Sequence, residues 1–272
     1  PEYSSAASDV YKRQVHIWLP EAHVEAPTAG SVILAGVLLK LGTYGIIRFM
    51  LPLFPYANLF FKPLVFTMCL IAIIYSSCTT IRQIDLKKII AYSSVAHMNF
   101  SLLGLFTNNS LGLEGSLYLM LGHGIVSSAL FLCIGILYDR YHTRNILYYG
   151  GLISFMPLYG IFFLIFILAN IGMPGTINFV GEFLVLLGIF KQNIFVAILA
   201  GTSMVLGAIY SIWLYNRLMF GQLRQSSLVS FCDLSWREFH ILSPLVFLTL
   251  LLGIYPSIIL NSLSMSVNNY LF

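Results

Sequence analysis

Four ionisable side chains lie deep within apolar stretches of this 272-residue sequence: Lys40, His97, His123 and Glu182. Lys40 has eleven mostly apolar residues on each side between positions 29 and 51, about 16 Å of helix in either direction, so its ammonium cannot extend to a polar surface. Burial of such groups costs several kcal/mol unless they are paired or hydrated, and a base, two imidazoles and an acid can then exchange protons near neutral pH. The set predicts a proton relay.

Each of the four residues also has a structural alternative. Lys40 could be the ion-pair partner of a carboxylate on another chain, and His97 and His123 could be neutral imidazoles bonded to a neighbouring backbone group or serine. Glu182 follows the Gly172-Met-Pro-Gly-Thr176 segment by about two turns, and interrupted helices often expose backbone beside an ion site. That placement favours a transport role for Glu182.

Composition identifies the surroundings of these residues as a membrane. The chain has 58% apolar and 9% charged residues and a mean hydropathy of +0.87, whereas about a quarter of the residues of a soluble domain are charged. Its apolar segments are about 18–26 residues long without strict alternation, which favours helices over the ten-residue strands of a barrel. We therefore predict an all-α polytopic membrane protein.

Hydropathy predicts about seven spans, separated by short polar or proline-bearing turns. The stretch 152–190 is too long for one straight crossing, and the proline and glycines of 172–176 predict a broken helix that crosses once. The predicted spans are 29–51, 63–81, 88–106, 112–138, 152–190, 194–219 and 240–261.

Basic residues are unequally shared between alternate loops, which predicts the orientation. The richer side, expected to face the cytoplasm or organelle matrix, holds Arg82, Lys87, Lys88, Arg140, Arg144, Arg217, Arg224 and Arg237. The opposite side holds Arg48, Lys62 and Lys191, and we expect the C-terminus there as well. This asymmetry accounts for most of the net charge of +4, and no pattern indicates nucleic-acid binding.

Two further segments carry charges near the predicted span ends. Glu21, His23 and Glu25 are candidates for proton uptake, or are simply solvated. Asp85 is a candidate N-cap with Lys87 in the first turn, where we expect a surface charge role rather than transport.

Redox and metal chemistry have no sequence signature here. The cysteines Cys69, Cys78, Cys133 and Cys232 show no C-x-x-C pairing, and no dinucleotide, phosphate-loop or haem motif is present. We expect no cofactor and no metal on this chain. Residues 1–14 are polar and rich in Ser and Ala, unlike all that follows, and we interpret them as a foreign or disordered leader outside the fold.

The longer motifs resemble a known family. They are His16-Ile-Trp-Leu-Pro-Glu-Ala-His23, Leu34-Ala-Gly-Val-Leu-Leu-Lys-Leu-Gly42, Asp85-Leu-Lys-Lys-Ile-Ile-Ala-Tyr-Ser-Ser-Val-Ala-His-Met98 and Gly172-Met-Pro-Gly-Thr-Ile-Asn-Phe-Val-Gly-Glu-Phe183. Over residues 15–272 the chain is similar to the C-terminal half of the antiporter-like, proton-translocating subunits of respiratory complex I. Glutamate at position 182, where subunits 2 and 5 usually carry lysine, favours subunit 4.

The resemblance implies specific roles and partners. Lys40 would be the central lysine, His97 and His123 members of a hydrated polar axis, Glu182 the terminal acid, and 63–219 one five-helix repeat. NADH, FMN, iron–sulfur clusters and quinone would be bound by partner subunits, and this chain would lie in the bilayer among other membrane-arm subunits.

The sequence also departs from the family pattern. A second lysine is expected about 31 residues before the central one, where this chain has Asp9, and the first inverted repeat with its glutamate is not in this sequence. We therefore expect a separate chain to supply the missing half.

Three hypotheses follow. The first is a complex I subunit in the mitochondrial inner membrane, or in a bacterial plasma membrane; the second is a subunit of a multisubunit cation/proton antiporter; and the third is a purely structural remnant of the membrane arm. Sodium-dependent transport without NADH oxidation would favour the second. Unchanged pumping after loss of Lys40 or Glu182 would favour the third.

Overall fold

The structure, a computed structural model, is a bundle of helices and describes residues 18–221 and 232–271. The predicted leader at 1–14 and Arg224 lie outside these residues. Besides two short 3-10 helices, Ile146–Tyr148 and Leu152–Ser154, the described part contains ten longer helices: α1 Trp18–Glu25, α2 Thr28–Leu53, α3 Pro55–Arg82, α4 Leu86–Leu105, α5 Ser110–Tyr141, α6 Pro157–Ile171, α7 Ile177–Phe190, α8 Ile194–Met219, α9 Trp236–Ile254 and α10 Ser257–Leu271.

The predicted all-α architecture is confirmed, and helices occupy all seven predicted spans, with shifted ends. Helices α2, α3, α5, α8 and α9 are each long and apolar enough to span a membrane. Helix α4 has 20 residues but is less apolar because it carries two lysines, a histidine and several serines, and the short helices α6 and α7 together make the predicted broken crossing. The predicted turn after α2 is present at Phe54, and α3 begins immediately afterwards at Pro55, not at 63.

The last predicted span, 240–261, is wrong in its boundaries. Helix α9 ends at Ile254 because Pro256 cannot continue the ladder, and α10 begins at Ser257. At the far end of α10, Val267 lines a small cavity with Arg48 and Leu113, at the end of the bundle away from Arg140. The two helices thus continue one crossing, with a bend at Tyr255–Pro256.

Helix α5 is the centre of the bundle. In its apolar window 72% of residues are buried, against 17% for α2 and for α9. Two apolar clusters share it: one includes Tyr118 and Phe131 and extends to α6 and α9, and the other includes Leu113 and extends to α3, α7 and α8. Side chains carried by α5 are therefore the most completely shielded from lipid.

Glycines allow α5 and α7 to approach backbone to backbone. A Cβ at Gly181 would lie 2.8 Å from the backbone nitrogen of Leu119, and one at Gly188 would lie 2.7 Å from Cα of Gly112. Small residues at a helix interface serve this purpose in membranes, where dispersion contacts replace the hydrophobic effect. The close contact places the residues of α7 directly beside the middle of α5.

The α5–α7 contact yields a matched prediction. Gly181→Ala should lower the free energy of unfolding by about 1–3 kcal/mol, because the added methyl group has no space. Gly201→Ala in α8 is the control, since no atom lies within 4 Å of its added Cβ, and it should be neutral or slightly stabilising because alanine favours helix. Unfolding titrations of the purified protein in mixed micelles measure both, and equal effects would contradict the packing argument.

Candidate functional site: a line of buried ionisable groups

Lys40 lies near the middle of α2 between two π-helical segments, Leu34–Leu38 and Ile46–Met50. Its ammonium donates to the carbonyl of Ala35 at 2.5 Å and contacts Nδ1 of His123 at 2.8 Å. An ammonium has no acceptor, so when Lys40 is charged Nδ1 must accept and the ring proton of His123 must be on Nε2. The side chain of Lys40 is half-buried, the most accessible of the four.

His123 lies in the buried centre of the bundle, and its flanking glycines admit two neighbours. The side-chain oxygen of Asn178 lies 2.7 Å from where a Cβ of Gly122 would be, and Cε of Lys40 lies 3.6 Å from the corresponding point at Gly124. Both glycines therefore provide close helix contact. The ring centroid of His123 is 5.7 Å from that of His97, at an angle of 47°.

His97 and Glu182 form the far end of the line. Nδ1 of His97 lies 3.1 Å from Oε1 of Glu182, and the two residues are 9% and 4% exposed. The contact is an ion pair if His97 is protonated, and a hydrogen bond that shares one proton otherwise. The structure thus brings Lys40, His123, His97 and Glu182 into one line across four helices.

The break between α6 and α7 gives the carboxylate of Glu182 its place. Gly172 ends α6 with φ +78°, and its amide donates to the carbonyl of Ala169 at 3.2 Å. A Cβ at this position would lie 2.5 Å from Oε2 of Glu182. Gly172 is needed twice, for its left-handed backbone and for the space that the carboxylate fills.

Helix α9 joins the break to α5. The Tyr118 hydroxyl donates to the carbonyl of Leu252 at 2.5 Å, and the position of a Gly253 Cβ falls on the backbone of Gly175 and Thr176. One turn of α9 thus contacts both the helix that carries His123 and the break that positions Glu182. The sequence did not predict this contact, because neither Tyr118 nor Gly253 belongs to a pattern that marks one face of its helix.

Neutral polar residues complete the site and were also missed. Both polar atoms of the Asn178 side chain, Nε2 of His97 and Oε2 of Glu182 are buried without a hydrogen bond within the described part of the chain. Beside them, Asn170 and Tyr210 line a small cavity with room for about one water molecule. The position of Asn178 four residues before Glu182, on the same helix face, is the signal that could have found it.

Of the three candidates for proton uptake, the structure buries one. His23 is fully buried and stacks on Phe131 with 4.6 Å between ring centroids, whereas Glu21 is half-buried and Glu25 is exposed. Burial lowers the pKa of His23 to about 4, with smaller contributions from the positive charges of Lys87 and Lys40. His23 is therefore neutral at physiological pH.

The expectation of a surface role for the first turn of α4 is wrong for Lys87. Its side chain is 2% exposed, and its ammonium donates to the carbonyl of Ala26 at 2.8 Å, between α1 and α2. Asp85 does occupy the N-cap position, but its side chain makes no capping bond, and its backbone pairs with Asn145 instead. A lysine near a span end can turn inward when the neighbouring loop offers a carbonyl.

His23 should make stability depend on pH. The pKa of His23 is lower in the folded chain than in the unfolded one. The contribution of neutral His23 to the free energy of unfolding is therefore complete above about pH 6.5 and is lost as pH falls towards 4. Between pH 7 and pH 5 the folded protein should lose about 2 kcal/mol from this group. His23→Gln should flatten the difference between unfolding titrations at the two pH values, while the same change at exposed His240 should not. An unchanged slope in His23→Gln would contradict the assignment.

No three His, Cys, Asp or Glu side chains come together to hold a metal ion within residues 18–221 and 232–271. In the same part of the chain Cys69 and Cys133 are buried free thiols, and Cys78 and Cys232 are exposed free thiols.

Comparison with known proteins places this geometry in a family. Residues 9–209 match the family described as NADH:quinone oxidoreductase/Mrp antiporter, TM. The chain is 60% identical over 255 residues to NADH-ubiquinone oxidoreductase chain 4 of Marchantia polymorpha, covering 94% of this chain and 52% of the relative. It is 59% identical to the protein of the same name from Chondrus crispus, covering 99% of this chain and 55% of the relative. It thus spans about half the length of these curated relatives.

Solved structures agree. A chain of respiratory complex I from Thermus thermophilus with bound NADH superposes with a TM-score of 0.85 at 31% identity, over 95% of this chain and 55% of that one. A chain of the Mrp complex from Dietzia sp. DQ12-45-1b superposes with a TM-score of 0.83 at 19% identity, over 94% and 56% of the two chains, which shows a shared fold. Family match, sequence identity and fold coincide over the same helices, and the chain belongs to the antiporter-like membrane subunits of the NADH:quinone oxidoreductase/Mrp antiporter family.

Proposed function

We propose that this chain is a proton-translocating subunit of the membrane arm of NADH:ubiquinone oxidoreductase, in which quinone reduction elsewhere drives proton movement along Lys40, His123, His97 and Glu182. The observation that carries the proposal is the line itself, with contacts of 2.8 Å at one end and 3.1 Å at the other. Identities of 60% and 59% to proteins named chain 4 support it over the antiporter alternative.

Each residue of the line would have a defined proton role. Charged Lys40 gives a proton to Nδ1 of His123, and that ring releases its Nε2 proton towards His97. His97 offers Nε2, which makes no hydrogen bond within the described residues, and its Nδ1 proton passes to Glu182. A water in the small polar cavity beside Glu182 and Tyr210 would carry the proton onward. After one passage Lys40 is neutral and both histidines are neutral again, but each imidazole carries its proton on the other ring nitrogen, so both rings must return to the first tautomer before the next proton moves.

The proposal includes partners and a location. We infer that the five crossings made by α3 to α8 form one repeat, and that the chain assembles in the bilayer with other membrane-arm subunits of the complex. NADH, FMN, iron–sulfur clusters and quinone would be bound by other subunits. The named relatives from a liverwort and a red alga support a mitochondrial inner membrane.

The direct test removes the terminal acid without changing its shape. Glu182→Gln cannot ionise, so in vesicles holding the assembled complex, NADH-driven proton pumping should fall about tenfold or more. Glu114→Gln is the control, because Glu114 is a half-buried carboxyl on α5 that lies away from the line. Pumping is followed by the quenching of a pH-sensitive dye, and assembly by native gel electrophoresis with an in-gel NADH dehydrogenase stain.

The outcomes separate the three hypotheses. Assembly with lost pumping supports the relay, and assembly with unchanged pumping would support a structural remnant. Migration of this chain apart from NADH dehydrogenase activity, with sodium-coupled transport in vesicles, would support the antiporter subunit.

A second prediction tests the space that holds the carboxylate. Gly172 and Gly175 both have positive φ, +78° and +91°, so alanine strains the backbone at either position. At Gly172 the added Cβ would also meet the Glu182 carboxylate, while at Gly175 it would meet nothing within 4 Å. Gly172→Ala should therefore reduce pumping several-fold more than Gly175→Ala in equally assembled complexes. Equal losses in the two variants would assign the effect to backbone strain alone.

A further inference from the structure

A groove between α3 and α8 lies at the end of the bundle away from Arg140 and contains two lysines. Its first cavity, of about 490 Å³, has apolar walls from Phe66, Leu70 and Val196 and holds Lys62 and Gln192 at its polar end. A second cavity of about 490 Å³ adjoins it at Gln192 and is lined by Asn109, Ser110 and Lys191. Neither lining includes an acidic side chain.

The groove lies at the depth of lipid headgroups. Helix α3 has 28 residues, about 42 Å, which exceeds the roughly 30 Å of a bilayer's hydrocarbon core, so its first turns extend to the headgroup level. Lys62 follows the first residue of α3 by about two turns. The α4–α5 and α7–α8 turns, which carry Thr107 and Gln192, lie beside it.

The ammonium of Lys62 has donors to spare. It donates to the carbonyl of Thr107 at 3.3 Å, and the side chain of Gln192 donates to the same carbonyl. An ammonium has three donors, so two remain for an anion, and Lys191 is exposed on the other side of Gln192. A merely structural Lys62 would neutralise the carbonyl end of α4 and bind nothing else.

The apolar part of the groove continues from the charged part. Lys62, Phe66 and Leu70 are spaced four residues apart and share one face of α3, about 12 Å long from first to last. Val196 of α8 forms the opposite wall. A positive mouth above an apolar channel matches a phosphate group attached to an acyl chain.

We propose that this groove binds one anionic phospholipid, with its phosphate between Lys62 and Lys191 and an acyl chain along Phe66, Leu70 and Val196. The site does not depend on proton translocation, because none of these residues belongs to the Lys40–Glu182 line. The charge of the two lysines favours an anionic lipid over a zwitterionic one, and the channel favours a lipid over free phosphate.

The test uses the assembled membrane complex in nanodiscs. Phosphatidylglycerol with a diazirine on its acyl chain is the probe, and labelled peptides are mapped by mass spectrometry. We expect labelling between Phe66 and Leu70. Each lysine should contribute about fivefold to binding, so Lys62→Gln with Lys191→Gln should reduce labelling about twenty-fivefold. Lys191→Gln alone, at an exposed position, should reduce it about fivefold.

Controls separate lipid binding from general surface charge. Lys88→Gln, a partly exposed lysine beside Asp85 at 4.0 Å, should leave labelling unchanged, and Lys62→Arg should retain it. An equal signal from diazirine phosphatidylcholine, or full displacement by inorganic phosphate, would overturn the proposal. So would labelling that is unaffected by the double variant, which would leave Lys62 as a cap of α4.

Discussion

The contact between His97 and Glu182, 3.1 Å apart in the buried centre of the bundle, is the interaction on which the rest of the site depends. A buried carboxylate without a charged or hydrogen-bonding partner would destabilise the fold, so Glu182 requires His97 beside it. The interrupted crossing makes room for this pair, because Gly172 has no side chain at the point where the Glu182 carboxylate lies. The glycine contact of α5 with α7 then brings the acid beside the histidines.

The break between α6 and α7 also requires neighbouring helices to enclose it. Opening the backbone between α6 and α7 frees polar groups in an apolar region, and a break is tolerated there only where other helices enclose it. Helix α9 does so through Gly253, packed on Gly175 and Thr176, while Tyr118 bonds to the adjacent carbonyl of Leu252. The contacts of α9 with the break and with α5 therefore help to fix the position of the Glu182 carboxylate.

Sequence reasoning found the ionisable residues that stand out within long apolar runs. Lys40, His97, His123 and Glu182 stood out because each is costly in its run, and the seven crossings followed from hydropathy alone. It missed Asn178 and Tyr210, because burying a neutral polar side chain in a helix costs little free energy and such residues are common there. It also missed the hydrogen bond of Tyr118 to Leu252, because a contact between residues distant in sequence leaves no local pattern. It also misplaced Lys87, whose burial depends on the carbonyl of Ala26, distant in sequence. The end of α9 at Ile254 was missed because hydropathy continues past Pro256.

In the proposed relay, charge would couple the four groups. When Lys40 is charged its ammonium requires His123 to be neutral, since the Nδ1 that it contacts must accept a proton. Once a proton had moved to His97 in that relay, the positive charge would lie beside the Glu182 carboxylate, which would attract it strongly in a region of low dielectric. In that relay the carboxylate would therefore act on the whole line and not only on its last step, drawing each proton away from Lys40. Its loss in Glu182→Gln would then remove both the proposed final acceptor and the field that orders the earlier transfers, whereas loss of Lys40 would leave that field intact.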